Sequence, residues 1–208
     1  MSNLGNLLAW GIENSNPDAN PDGPKTQLNP ALLAELFGQK QKSDAELMKE
    51  AIAAVQDPSV SLEDKEIAFD NFELLIEHLD NANNIENLSL WPPLISLLDA
   101  DHAAIRKMAA WCVGTAVQNN ELSQNAFMKH DGIPKLVNVA LRDPVEDVRK
   151  KAVFALSSQV RNHGAALEKM LEHLPEELVP QKIHHEDMES IDELMRALRE
   201  RVAKVISQ

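Results

Sequence analysis

Cysteine occurs once in this chain, at Cys112, so no disulfide can form within it and packing must hold the fold. Tyrosine is absent, aromatic residues make up 4% of the chain, and there are seven scattered glycines. No P-loop and no GxGxxG can be assembled from them, which removes the common nucleotide-cradling motifs. Leu, Ala, Glu and Asn dominate instead, a mix that favours helices and supplies few strand formers. No window approaches the roughly eighteen consecutive apolar residues that a membrane-spanning helix needs. The opening "MSNLGNLLAWGIENS" has neither a basic start nor a long apolar run, so no signal peptide is expected. These absences, with the single cysteine, predict a soluble intracellular protein.

Positive charge is also in short supply. Twenty Lys and Arg face 33 Asp and Glu, a formal net charge of −13. Residues 1–42 hold four acids and three bases, which leaves −12 on the rest. A field of that sign repels nucleic-acid phosphates and anionic membranes, so neither is an expected partner. A protein with a basic patch is not excluded. The 208 residues allow one domain, or one domain with a tail, and 44% hydrophobic content can build a sizeable core.

What is present divides at about residue 42. Leu4, Leu7, Leu8, Trp10 and Ile12 form a small apolar cluster. "ENSNPDANPDGPKTQLNP" comes next, with four prolines among Asn, Asp and Gly, and reads as a linker. "ALLAELFG" reads as a short helical turn capped by Gly38. Residues 1–42 are therefore expected to be a flexible N-terminal segment, and 43–208 the folded domain.

From Ser43 the texture is helical. "SDAELMKEAIAAV" opens with a capping box, Ser43 with Glu46, and Asp57-Pro58 stops it. "SLEDKEIAFDNFELLIEHLDNANN" reads as one longer helix with the stripe Phe72, Leu75, Ile76, Leu79, ended by Asp80–Asn84. Then a repeat appears. Ile105, Ala109, Cys112, Val113 and Val117 match Val148, Ala152, Ala155, Leu156 and Val160, each 43 residues on. The spacing i, i+4, i+7, i+8, i+12 is one helix face. Ile105-Arg106 matches Val148-Arg149, Asn119 matches Asn162, and Phe127 matches Met170. A helical period near 43 lies within the roughly 40–47 residues of armadillo and HEAT units. An all-α, armadillo-like solenoid of about four units, counting partial ones, is predicted. Its last helix, Met188–Ile206, carries Ile191, Leu194, Met195, Leu198, Val202 and Val205 on one side and charged residues on the other, as a terminal cap requires.

The repeated helix has a second face. One copy reads Trp111, Gly114, Thr115, Gln118, the next Phe154, Ser157, Ser158, Arg161, both at i, i+3, i+4, i+7. In a solenoid of this kind such helices line the concave side. Two readings of the aromatics stand: docking anchors on a floor of small side chains, or packing between units with Gly114 permitting close approach. Gln118, Asn119, Asn120, Arg161 and Asn162 are read as surface residues for a partner. The asparagines also suit left-handed helix ends.

Reactive chemistry is not legible. His184-His185 are adjacent, and neighbouring side chains diverge, so no metal site is expected. His163 and His173 have no cysteine partner. Cys112 lies on the apolar stripe and reads as a small core residue. Neither an enzyme nor a cofactor is expected.

"IAFDNFELLIEHLDNANNIENL", "RKMAAWCVGTAVQNNELSQNAFM" and "VRKKAVFALSSQVRNH" together resemble the armadillo-type nucleotide exchange factors of the seventy-kilodalton heat-shock chaperones, the Fes/HspBP family. "NLLAWGIENS" and "LLAELFG" are similar to that family's N-terminal segment. The resemblance implies a cytoplasmic, monomeric co-chaperone acting in protein folding and translation regulation. It would bind the chaperone's ATPase domain, open its cleft and release ADP. It places partner contacts at Asn81, Ala82, Asn83 and Asn84 and at Gln118, Asn119, Asn120, Arg161 and Asn162, while Trp111, Thr115, Phe154 and Ser158 are candidates from the helix face itself. It makes Leu7, Leu8 and Trp10 a client-release segment. The alternative is an armadillo adaptor that holds a peptide in its groove. In nuclear-import receptors of that kind an Asn follows Trp by four residues. Here Thr115 follows Trp111, and Ser158 follows Phe154.

Overall fold

The first helix begins where its capping box places it. The Ser43 hydroxyl accepts from the Glu46 amide at 3.3 Å, and the Glu46 carboxylate accepts from the Ser43 amide at 2.8 Å. The computed structural model describes residues 42–181, 183–184 and 186–204. Contacts group the chain into two units, Met1–Lys42 and Ser43–Gln208, and the described helices belong to the second. The expected apolar stub, the "ALLAELFG" turn, His185 and Val205 lie outside the described residues.

All regular structure among the described residues is helical. α1 spans Asp44–Gln56, α2 Leu62–Ile76, α3 Leu79–Asn87 and α4 Trp91–Ser96, which runs on as a 3-10 turn, Leu97–Asp99. α5 spans Ala103–Val117, α6 Glu121–Lys129, α7 Gly132–Arg142 and α8 Glu146–Val160. α9 spans Gly164–Leu171, and α10 Met188–Ala203. The long helices α2, α5, α8 and α10 pack side by side in chain order. Behind them α1, the α4 turn and α7 each pack on the long helix of their own unit, and the short helices α3 and α6 pack on each other. This is the predicted helical-repeat solenoid.

The repeated stripe is its core. Ile105, Ala109, Cys112, Val113 and Val117 on α5 and their five counterparts on α8 are all buried. Each buried Val or Leu contributes roughly 1.5–3 kcal/mol, and a unit alone could not hide them. Burial, together with the charges of Glu73 and Asp70, raises the Cys112 thiol well above its ordinary pKa. Gly114 sets the spacing of the two helices. A Cβ there would sit 2.4 Å from Phe154 Cε1 and 3.1 Å from the Ala155 Cα.

The repeated arginines clamp loops. Arg106 Nη1 donates to the carbonyls of Ala100 and Asp101, six and five residues back. Arg149 Nη1 donates to Asp143 and Pro144 at the same offsets. Each also reaches the following unit. Arg106 grips the Asp143 carboxylate through Nε at 2.6 Å and Nη2 at 3.0 Å, and Arg149 Nε donates to the Val202 carbonyl of α10.

One expected helix is two. The chain leaves helical geometry at His78 (φ −76°, ψ 125°), the residue that caps α3. Asn81 holds the break: its amide nitrogen donates to the Leu75 carbonyl at 2.9 Å and the Asp44 carboxylate at 2.8 Å. The Leu75 carbonyl, which also accepts from the His78 amide at 3.3 Å, gains a side-chain donor at the helix end. Asp80–Asn84 therefore open a short helix and do not end a long one. Leu79, expected in the stripe, is 59% exposed, and Phe69 takes its place in the core. The last helix keeps the expected apolar side and ends at Ala203.

Two substitutions test this packing. Asp143→Ala should lower unfolding free energy by about 1–3 kcal/mol, because it takes a charge-assisted partner from the half-buried Arg106 guanidinium and an acceptor from the Val145 amide; urea denaturation reads it. Gly114→Ala gains about 1 kcal/mol of helix propensity. It should still be destabilising on balance, since forced overpacking costs about 1–3 kcal/mol, and its thermal midpoint should fall.

Candidate partner-binding surface

"QNN" and "RNH" are the same junction built twice. α5 stops at Val117, Gln118 turns extended, and Asn119 takes a left-handed conformation at φ 52°. α8 stops at Val160, Arg161 is extended, and Asn162 sits at φ 55°. Asparagine tolerates this region better than most residues. The third residue then caps the next helix. Asn120 Oδ1 accepts from the Ser123 amide at 3.3 Å, while its nitrogen donates to the Ala116 carbonyl and the Ser123 hydroxyl. His163 Nδ1 accepts from the Ala166 amide at 3.1 Å, so Nε2 carries the proton toward Asn125 Oδ1 at 3.0 Å.

Three expected contact residues are thereby corrected. Asn120 is 5% exposed and spent on capping, and Ala82 is 3% exposed inside α3. Ser158 is 7% exposed, and its carbonyl accepts from the buried Gln124 amide. None of the three offers its side chain to a partner. Asn81 is committed to the break before α3, and Asn83 and Asn84 are half-buried on that helix. Asn83 Oδ1 accepts from the Ser123 hydroxyl at 3.4 Å.

The remaining candidates lie along one face of the long-helix row. Gln118, Asn119 and Asn162 are exposed; Trp111, Thr115, Phe154 and Arg161 are half-buried. On α2, the Glu73 carboxylate accepts from the Thr115 hydroxyl at 2.9 Å. Next in the row, the Lys151 ammonium of α8 stands 3.6 Å from the centroid of the Trp111 ring on α5 and 5.7 Å from that of Phe154. At the far end Arg161 pairs with Asp192 of α10 and donates through Nε to the Ser157 hydroxyl at 3.3 Å. The Phe154 ring packs between the helices in the space over Gly114, and part of it still reaches the surface.

Lys107, Lys151 and Glu73 belong to this face and were not singled out from the sequence. Their signal was available. "RKMAAW" and "RKKAVF" place lysines one turn before each aromatic, in a chain short of positive charge. Burial holds the Lys151 ammonium below its ordinary pKa; the nearby charge of Lys107 adds to this and Glu73 opposes it.

The face carries aromatics, cations and amides in reach of a protein partner, the residue types that dominate such interfaces. Among the described residues no group of His, Cys, Asp and Glu could hold a metal ion, and no helix is long and apolar enough to cross a membrane.

Comparison with known proteins places this architecture. Residues 4–85 match the family described as nucleotide exchange factor Fes1, and residues 81–200 match the SIL1/FES1/HPBP1 C-terminal domain. The Hsp70 nucleotide exchange factor FES1 of Gibberella zeae is 50% identical over 209 residues, covering 97% of each chain. That of Coccidioides immitis is 47% identical over 208 residues, covering 96% of this chain and 98% of its own. The crystal structure of an engineered protein shares the fold at a TM-score of 0.53 and 15% identity, over 83% of this chain and 78% of its own. Matched by both family domains and aligned nearly end to end with these relatives, the chain belongs to the Fes1 family of nucleotide exchange factors.

Proposed function

We propose that this protein is a nucleotide exchange factor of a cytoplasmic seventy-kilodalton heat-shock chaperone, and that it docks the chaperone's ATPase domain on the face of α2, α5 and α8. The observation that carries this reading is identity of 47–50% to proteins named for that activity, sustained over almost the full length of both chains. The face supplies a means. Trp111, Thr115, Gln118, Asn119, Phe154, Arg161 and Asn162 are the proposed contacts, with Lys107, Lys151 and Glu73 added from the geometry.

Exchange asks for no reactive group on this chain. It asks that the factor bind the open, nucleotide-poor chaperone more tightly than the closed one. By linkage, ADP and the factor then weaken each other's binding by the same ratio, about 1.4 kcal/mol for each tenfold. A rigid row of packed helices suits that task, because a deformable one would adapt to both states. Residues 43–208 would act in exchange, and Leu7, Leu8 and Trp10 would assist client release from a tether. The protein would act as a monomer, as a binding protein and not as a catalyst of covalent change.

The test is release of fluorescent ADP from a purified chaperone ATPase domain. Micromolar full-length protein should accelerate release at least tenfold, and no acceleration would overturn the reading. Changing Leu7, Leu8 and Trp10 together to Ser should leave that acceleration intact while slowing release of a labelled client peptide from the full chaperone.

A further inference from the structure

We infer that Lys107 and Lys151 form a two-lysine clamp for a carboxylate side chain of the partner, set against the faces of Trp111 and Phe154. The inference rests on the exchange-factor reading for the identity of that partner and adds what the partner must present.

The first observation is that these two cations are half-buried without a counter-ion among the described residues, whereas most others that lack one there, such as Lys49, Arg142 and Arg199, are exposed. Arg106 is paired with Asp143, Lys129 with Glu86, Lys135 with Asp99, Lys150 with Glu146, Arg161 with Asp192 and Lys169 with Glu172. Among the described residues no carboxylate lies within ion-pair distance of Lys107 or Lys151. The closest in effect is Glu73, which acts on Lys151 only through its field and is engaged by the Thr115 hydroxyl.

The second is that the two project from adjacent packed helices close enough for the charge of Lys107 to be felt at Lys151. They come from adjacent helices, α5 and α8, whose spacing Gly114 keeps close. Lys107 sits one turn before Trp111, and Lys151 lies over the Trp111 ring at 3.6 Å. Two ammonium groups brought together cost free energy that a shared anion would recover. The electrostatics agree, since both burial and Lys107 make the charged form of Lys151 harder to keep.

The third is that the platform is aromatic and partly dry. A carboxylate arriving there displaces little water from the rings and meets charge-assisted donors from two sides. The chain as a whole carries −13 and repels an acidic group, which favours its landing on a local cationic patch such as this one.

The experiment uses the full chain and the chaperone ATPase domain. The double variant Lys107→Glu/Lys151→Glu should raise the concentration for half-maximal ADP release at least tenfold and leave the maximal rate near that of the unchanged protein. Its affinity should also lose part of its salt dependence. Lys107→Gln/Lys151→Gln should show the same direction more weakly, with circular dichroism checking that both fold. Lys150→Glu, one residue away but outside this patch, should behave as unchanged. If the unchanged protein accelerates release and the double Glu variant matches its half-maximal concentration, the clamp is overturned and the exchange reading stands. If the unchanged protein does not accelerate release at all, the exchange reading falls and takes the named partner with it.

Discussion

The close approach of α5 and α8 governs most of what this molecule does. Two copies of one apolar stripe meet there, and Gly114 lets the Phe154 ring lie against the α5 backbone. Because the helices touch so nearly, the side chains just outside the contact are brought into one patch. Trp111, Lys151 and Phe154 are neighbours only because their backbones are. The same contact buries Cys112, which makes its thiol a packing element and not a reactive one.

Register along the row is enforced by polar groups at the ends of that contact. Arg106 and Arg149 each tie down the loop that precedes their own helix and then reach the next unit. At the opposite end the Gln124 amide nitrogen shares its two hydrogens among the carbonyls of Ser158, Gln159 and Arg161 where α8 stops, and Gln159 donates back to the Gln124 carbonyl. Such groups are buried or nearly so, and each lost partner would leave an unsatisfied atom. Stacking thus supplies the cohesion, and these bonds supply the spacing. A binding face that must discriminate between two states of a partner depends on that spacing.

The period of 43 was legible because both copies kept their apolar residues at matching positions, so the all-α solenoid, its capping helix and its packing order could be read. Asn119 and Asn162 were legible as helix ends for the same reason, although their part in left-handed turns competes with any part in binding. The break at His78 was not. No proline or glycine marks it, and the Asn81 side chain that stabilises it bonds to Asp44, 37 residues away in sequence. Local propensity cannot see such a partner. Ala82 and Ser158 were misplaced for a related reason: which turn of a helix faces outward depends on a neighbour, and the neighbouring helix starts at a position the sequence did not reveal. The repeat would have matched Lys107 with Lys150, whereas Lys151 stands opposite Met108; a charge on a helix is ordinarily solvated, and only the packed neighbour helix distinguishes Lys151.

The central claim is that the partner seats on the long-helix face. Cys112 is buried, so a cysteine introduced on the surface is the one readily labelled thiol in the chain. Maleimide labelling should be followed at Gln118→Cys, exposed at the rim of that face, and at Asn138→Cys, exposed on α7 behind it. Adding the nucleotide-free ATPase domain of the chaperone should slow labelling at position 118 several-fold and leave position 138 unchanged. Protection at 138 with free access at 118 would contradict the account.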